Sequence, residues 1–229
     1  MLYIYVFEKL QSSLKILFLF VGFSLLFNIN LATSQTITQG EGVYDIEGNF
    51  YPTFLVANGQ EWMAENLKSK NFSNGDSIPY LQQNLSWQNT NSAAFSYYNS
   101  DQNLSSTFGN LYNWFTTIDE RNVCPADWHV PTDLEWTDFS DYLGGNGVAG
   151  GKMKVQDTLF WKAPNLGATN ESFFSALPGG CRYDGGNFAN IYSYANWWTG
   201  SQLDNQFSWF RSTYFDSDNL IKNYATKNT

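Results

Sequence analysis

Histidine occurs once in the 229 residues and cysteine twice. That leaves little material for catalytic triads or for thiolate and imidazole zinc sites. Positive charge is scarce too: 12 Lys+Arg stand against 21 Asp+Glu, for a net charge of −9 and a pI near 4.4. Nucleic acids and anionic membrane surfaces attract clusters of Lys and Arg, so neither is expected as a partner. Charged residues make up 14% of the chain and Phe, Trp and Tyr 18%. Intrinsic disorder needs the reverse pattern, so a packed globular domain is expected. A long apolar run is missing as well. Residues 16–27, interrupted by Gly22 and Ser24, fall short of the ~20 residues that span a membrane. The composition favours a binding or structural role over catalysis.

What the N-terminus does carry reads as an address. Lys9 and Lys15 precede the apolar run, and Ala32-Thr33-Ser34 puts small residues at −3 and −1 of a cut after Ser34. That is the order of a secretory signal, so residues 1–34 are expected to be removed and the protein secreted or displayed at the cell surface. Cutting there takes away two lysines and one glutamate and leaves about 195 residues, enough for one domain with a sizeable core. Export makes Cys124 and Cys181 candidates for a disulfide, two free thiols being the other reading. Asn-x-Ser/Thr sequons at Asn71, Asn84, Asn103 and Asn170 are expected by chance in so asparagine-rich a chain.

Residues 35–42 are small and polar, a linker, and 43–229 read as a single domain. Residues 43–56 read as strand, turn, strand, and Asn58-Gly59 is a strong hairpin signal. The spacing of Leu111, Trp114, Phe115 and Ile118 predicts a short helix over 109–118. Pro131 precedes Thr132-Asp133-Leu134-Glu135, a capping box that starts a second helix, and Gly144-Gly145 ends it. Residues 144–186 are dense in Gly, Asn and Pro and read as long loops. Two aromatic strands are expected at 192–200 and 207–215. The order predicts an α+β domain: two short helices, small antiparallel sheets and long irregular loops.

Little of this pattern is catalytic. His129 reads as a ring orienting the turn before the second helix, because no other histidine completes a metal site. Asp45-Ile46-Glu47-Gly48-Asn49 loosely resembles a calcium loop. Its sixth and twelfth positions hold Phe50 and Val56 instead of Gly and Glu, so a hairpin turn explains it better. No metal or other cofactor is expected; Asp216-Ser217-Asp218-Asn219 could at most hold calcium weakly, and a solvated turn accounts for it as well. The aromatic excess is the remaining signal. Exposed Trp and Tyr beside Asn, Asp and Gln suit carbohydrate, although most of the nine tryptophans are expected in the core. Successive strand residues face opposite ways, so Trp197 and Trp198 are not both expected inside.

Several stretches together resemble one bacterial family, the Fibrobacter succinogenes major paralogous domain. They are DIEGNFYPT (45–53), GQEWMAENLK (59–68), FGNLYNWF (108–115), CPADWHVPTDLEW (124–136), YLGG (142–145), GGKMK (150–154), FSALPGGCR (174–182) and WWTGS (197–201). The resemblance implies a secreted or cell-surface module and brings no established activity. The segment 129–136 is also similar to the Arg-Leu-Pro-Thr-Glu-Ala-Glu-Trp element of formylglycine-generating-enzyme-like domains, which implies a C-type-lectin-like fold. Those enzymes use a close pair of cysteines late in the chain. Neither Cys124 nor Cys181 matches that arrangement, so the activity is not expected here. The family's usual last strand, similar to Gly-Phe-Ser-Val-Arg-Cys, has no counterpart in 222–229, which predicts a missing closing strand. The expectation is therefore a non-enzymatic module binding a carbohydrate or a surface protein through the loops of 144–196. Trp161, Tyr183, Asp184, Asn187 and Trp197 are its candidate contacts. A structural or adhesive envelope component and a degenerate formylglycine-generating-like enzyme are the alternatives.

Overall fold

The computed structural model describes residues 36–229 and, ahead of them, the backbone of the strand Phe7–Glu8. The rest of the expected signal segment lies outside the described residues. The fold is α+β, built of small antiparallel sheets and, among the described residues, five short helices rather than two.

β1 (Phe7–Glu8) and β2 (Thr38–Gln39) precede the hairpin of β3 (Val43–Tyr44) and β4 (Phe50–Tyr51). The Asp45 carboxylate shapes that turn, accepting the N–H groups of Glu47 and Asn49 at 2.9 Å and the Tyr51 hydroxyl at 2.8 Å. The hairpin reading of these residues holds. β5 (Thr53–Leu55) and β6 (Gln60–Met63) follow, joined through Asn58-Gly59 with Gly59 at φ +92°, a left-handed value that favours glycine. The sheet order is β1-β6-β5-β2, so the segment read as a linker contributes a strand.

α1 (Asn84–Asn89), β7 (Phe95–Ser96), α2 (Ser105–Phe108), β8 (Leu111–Tyr112) and α3 (Trp114–Thr117) come next. The helix expected over 109–118 is thus only its second half. Leu111 and Tyr112 are drawn out to pair with β7, and Asn113 starts α3 by accepting the Thr116 N–H. Leu111 and Trp114 are both buried, which accounts for the apolar spacing without a continuous helix.

α4 (Asp133–Tyr142) carries the complete capping box between Thr132 and Glu135. His129 Nε2 lies 2.9 Å from Glu135 Oε1, so the lone histidine does orient this turn. Burial works against the Glu135 carboxylate, but the bonds from His129 and Thr132 prevail and hold its pKa below the ordinary range. A carboxyl with a depressed folded pKa adds stability above its unfolded pKa of ~4.3, and loses it as the pH falls through the folded value. Urea melts at pH 7 and pH 3 should therefore converge in the Glu135→Gln variant relative to the parent. An unchanged pH dependence would show that this carboxyl carries none of the acid lability.

α5 (Asn146–Met153) was hidden by its glycines, which are poor helix formers. Tertiary packing requires them: a Cβ on Gly150 would lie 2.1 Å from the Asn219 carbonyl oxygen, and one on Gly151 2.5 Å from that of Gly167. β9 (Gly179–Arg182) and β10 (Phe188–Ile191) form a pair, so the loop expected over 144–186 holds both a helix and a strand. β11 (Tyr194–Gln202), β12 (Phe207–Tyr214) and β13 (Ile221–Thr226) form the last sheet in that order. β13 runs from Ile221 opposite Ser212 to Thr226 opposite Phe207 and pairs with β12; among the described residues it does not pair with the N-terminal strands.

α4 and α5 pack on β11 and β12. Between α4, β6 and β11, Trp62 stacks on Phe139 at 4.5 Å, and Trp197 meets Trp136 at 5.7 Å and Phe174 at 5.2 Å. All the tryptophans but Trp209 are buried. Trp197 and Trp198 are both among them, against expectation, because β11 is covered on both faces. Trp198 packs on Phe210, its register partner, and donates its indole N–H to the Tyr112 carbonyl.

Candidate functional site

The second face of β11 builds a cleft. Tyr194, Asn196 and Trp198 alternate along that face, and their neighbours across the ladder are Tyr214, Ser212 and Phe210. The Tyr194 and Tyr214 rings lie 4.2 Å apart. Trp198 and Phe210 form an apolar floor, while Asn196 donates to the Gly180 carbonyl and ties the sheet to β9. From the other side come Cys181, Tyr183 and Asn190, while Tyr224 of β13, opposite Trp209 in the ladder, packs its ring on Phe207 and Trp209 on the other face of the sheet. The enclosed space is about 270 Å³. Tyr183 is 46% exposed, so its ring is available at the rim.

Arg182 holds the turn that carries Tyr183. It is fully buried, with its guanidinium between the rings of Trp87 at 4.5 Å and Phe188 at 4.7 Å. It donates to the carbonyls of Leu81, Gln82 and Gly186, and burial pulls its pKa down to about 10. Gly186, at φ +85°, is pressed so close to Asn84 that a Cβ would lie 2.6 Å from its Cα.

Among the described residues no acidic or basic side chain lines the cleft. Burial pushes the Cys181 thiol up, against lesser downward pulls that include Tyr183 and Asn190, and it also raises the Tyr183 phenol. At neutral pH the cleft thus offers a thiol, phenol hydroxyls and amides, all uncharged. Asn190 Nδ2 donates to the Tyr183 hydroxyl at 3.1 Å and lies 4.0 Å from Cys181 Sγ. Such a lining can stack on an apolar face and exchange hydrogen bonds with hydroxyls. It presents no thiolate, carboxylate or imidazole to begin a reaction.

The five candidate contacts are scattered by the fold. Tyr183 lines the cleft, but Asp184 accepts from the Thr226 hydroxyl at 3.3 Å and lines a different, open groove with Gln88 and Lys227. Asn187 accepts from Asn84 at the start of α1. Trp161 and Trp197 are 1% and 0% exposed and are core residues, not contacts. Trp161 donates its indole N–H to the Ala176 carbonyl at 2.9 Å. The candidate disulfide is absent: Cys124 and Cys181 are both free, the first in the core and the second in the cleft wall. The residues that reasoning missed are Tyr194, Asn196 and Tyr214. Their period-two alternation within the two aromatic strands was the available signal.

The sequence model of the Fibrobacter succinogenes major domain matches residues 56–229. The chain belongs to this family. In this Fibrobacter succinogenes major domain the match takes in the capping box and the whole lining of the cleft. Comparison with curated proteins and with solved structures found no match.

Proposed function

We propose that this Fibrobacter succinogenes major domain is an exported, non-enzymatic binding module that takes a neutral carbohydrate in the tyrosine-lined cleft. The observation that carries the reading is the lining itself: the rings of three tyrosines and two asparagines around a space with, among the described residues, no charged side chain, in a chain of net charge −9. Sugar rings present apolar C–H faces and many hydroxyls, which aromatic rings and amides match together. An acidic sugar would find no cation here. The volume lies just under the ~300–1,000 Å³ of sites for larger ligands, which suits one sugar ring or a chain end.

Export rests on the order of charge, apolar run and small residues in 1–34. Among the described residues no helix is long and apolar enough to cross a membrane. Cleavage after Ser34 would leave Gln35 as the first residue of the mature chain, which N-terminal sequencing would reveal. The C-type-lectin-like reading is supported by the opening hairpins, the two main helices on a three-stranded sheet and the long loop between α5 and β9.

Calorimetric titration with cellotetraose, xylotetraose, mannotetraose and a uronic-acid tetramer tests the proposal. At least one neutral tetramer should bind more tightly than the uronate, and Tyr183→Ala and Tyr214→Ala should each weaken it about tenfold, ~1.4 kcal/mol. Tighter binding of the uronate, or full affinity in both variants, would remove the cleft from consideration. Binding to a surface protein with no affinity for any sugar would overturn the ligand class.

A further inference from the structure

A second cleft, of about 520 Å³, shares no lining residue with the first and has about twice its volume. Its walls come from β2 and β5, the segment 64–68, the end of α2 and the loop 155–177. Two aromatic rings face it, Phe160 and Phe173, together with the planar polar groups of Gln39, Asn66 and Asp157.

These groups are held in place. Phe160 packs edge-on against Phe108 at 5.9 Å, and Phe108 against Tyr192 at 5.8 Å. Asp157 Oδ1 accepts the N–H groups of Leu159 at 3.0 Å and Phe160 at 3.1 Å, so carboxylate and ring are fixed together. Its second oxygen accepts no hydrogen bond among the described residues. Asn66 Nδ2 donates to the Phe108 carbonyl, which anchors its amide at the wall.

Phe173 needs a separate explanation. It is 51% exposed, and its φ of +60° is one that a bulky side chain rarely adopts. Asn170 at +50° and Ser175 at +54° share the same short loop. An exposed ring recovers little by burial to offset a left-handed backbone, and glycine would sit there without strain. Packing therefore does not account for a phenylalanine at the rim.

We propose that this cleft is a second saccharide site, for a neutral oligosaccharide of two or more rings, so that one chain engages two sugar segments. Two ring platforms beside amide and carboxylate acceptors match a hydroxyl-rich chain; Lys68, the one basic residue of the lining, is paired with Glu65 at 3.4 Å, which leaves the Asp157 carboxylate to oppose an acidic one. The ligand class rests on the reading given for the tyrosine-lined cleft; the residues are independent of it. Two disjoint sites would let the domain bridge glycan strands.

The test is calorimetry on the full chain with cellotetraose, xylotetraose and mannotetraose, comparing Phe173→Gly with Tyr183→Ala. For at least one tetramer the parent should show two sites, and Phe173→Gly should weaken one of them about tenfold. Because glycine suits the left-handed backbone, that variant should keep or raise the melting temperature, which separates lost binding from lost folding. Binding lost in Phe173→Gly but kept in Tyr183→Ala would sustain the second site and overturn the tyrosine-lined one. An isotherm unchanged by Phe173→Gly overturns the second site, and no binding to any tetramer overturns both.

Discussion

Replacing Lys154 by methionine is expected to remove about 3–5 kcal/mol of stability and to lower the melting temperature by about 10 °C. Lys154 is fully buried just after α5, and its ammonium donates to three main-chain carbonyls, those of Leu166 and Ser217 at 2.7 Å and of Tyr214 at 2.9 Å. Burial pulls its pKa down to about 8, with Asp218 and Asp216 opposing, so near pH 7 the ammonium form makes all three bonds. Its charge also lies 5.3 Å from the centre of the Trp161 ring. Methionine fills similar space but donates nothing, and each orphaned buried carbonyl costs about 1–3 kcal/mol. The desolvation relieved by losing the charge offsets part of that sum. A thermal melt showing a fall of less than ~2 °C would mean that the loop around 166 and the turn at 214–217 find other donors.

Asp133→Ala is expected to cost a similar amount, about 3–5 kcal/mol, for a different reason. Asp133 is the first residue of α4, and its carboxylate bridges two strands. Oδ1 accepts from Arg211 of β12 and Oδ2 from Lys222 of β13, both at 2.7 Å. Arg211 is only 1% exposed, and burial pulls its pKa down while Asp133 opposes that pull. Removing the carboxylate leaves a buried guanidinium with, among the described residues, only the Thr137 hydroxyl and the main-chain carbonyl of residue 133 as hydrogen-bond partners. The Lys222 contact is exposed and adds less. A double-mutant cycle with Arg211→Met separates these contributions. The pair should recover much of the single-mutant loss, because removing both charges removes the unpaired one. Simple additivity of the two losses would show that the ion pair does not couple helix to sheet.

Features that were legible in the sequence have local causes. The capping box is read within four residues, Thr132 to Glu135, and His129 completes it from one turn away. The Asn58-Gly59 hairpin and the Asp45 turn depend on side chains that bond to main chain two or four positions on. The strands at 194–202 and 207–214 announced themselves by aromatic alternation.

The misses have non-local causes. Propensity argues against a helix through Gly147, Gly150 and Gly151, yet the close approach of Asn219 and Gly167 leaves no room for any side chain at the last two. One of Trp197 and Trp198 was expected to meet solvent, a loop or a ligand, and Trp198, though buried, does line the cleft. What covers the second face of β11, including Phe210 and the residues around Tyr112, is visible only in three dimensions. Tyr183 and Asp184 are adjacent in the chain but serve different clefts, because the first lies beside Asn190 and the second beside Thr226. A choice of contacts from one run of sequence could not separate them.

Composition and short-range pattern by themselves determined an acidic, aromatic-rich α+β domain with a capped principal helix, and the motifs of its family. Those properties depend on residue chemistry and on neighbours a few positions apart. Only the tertiary structure decided that the two cysteines stay apart as thiols, that Trp161 and Trp197 are core, and that Tyr183, Tyr194 and Tyr214 meet around one cleft. Side chains separated by tens of residues come together only when sheets and helices pack, and that packing chooses which rings are buried and which remain free to meet a ligand.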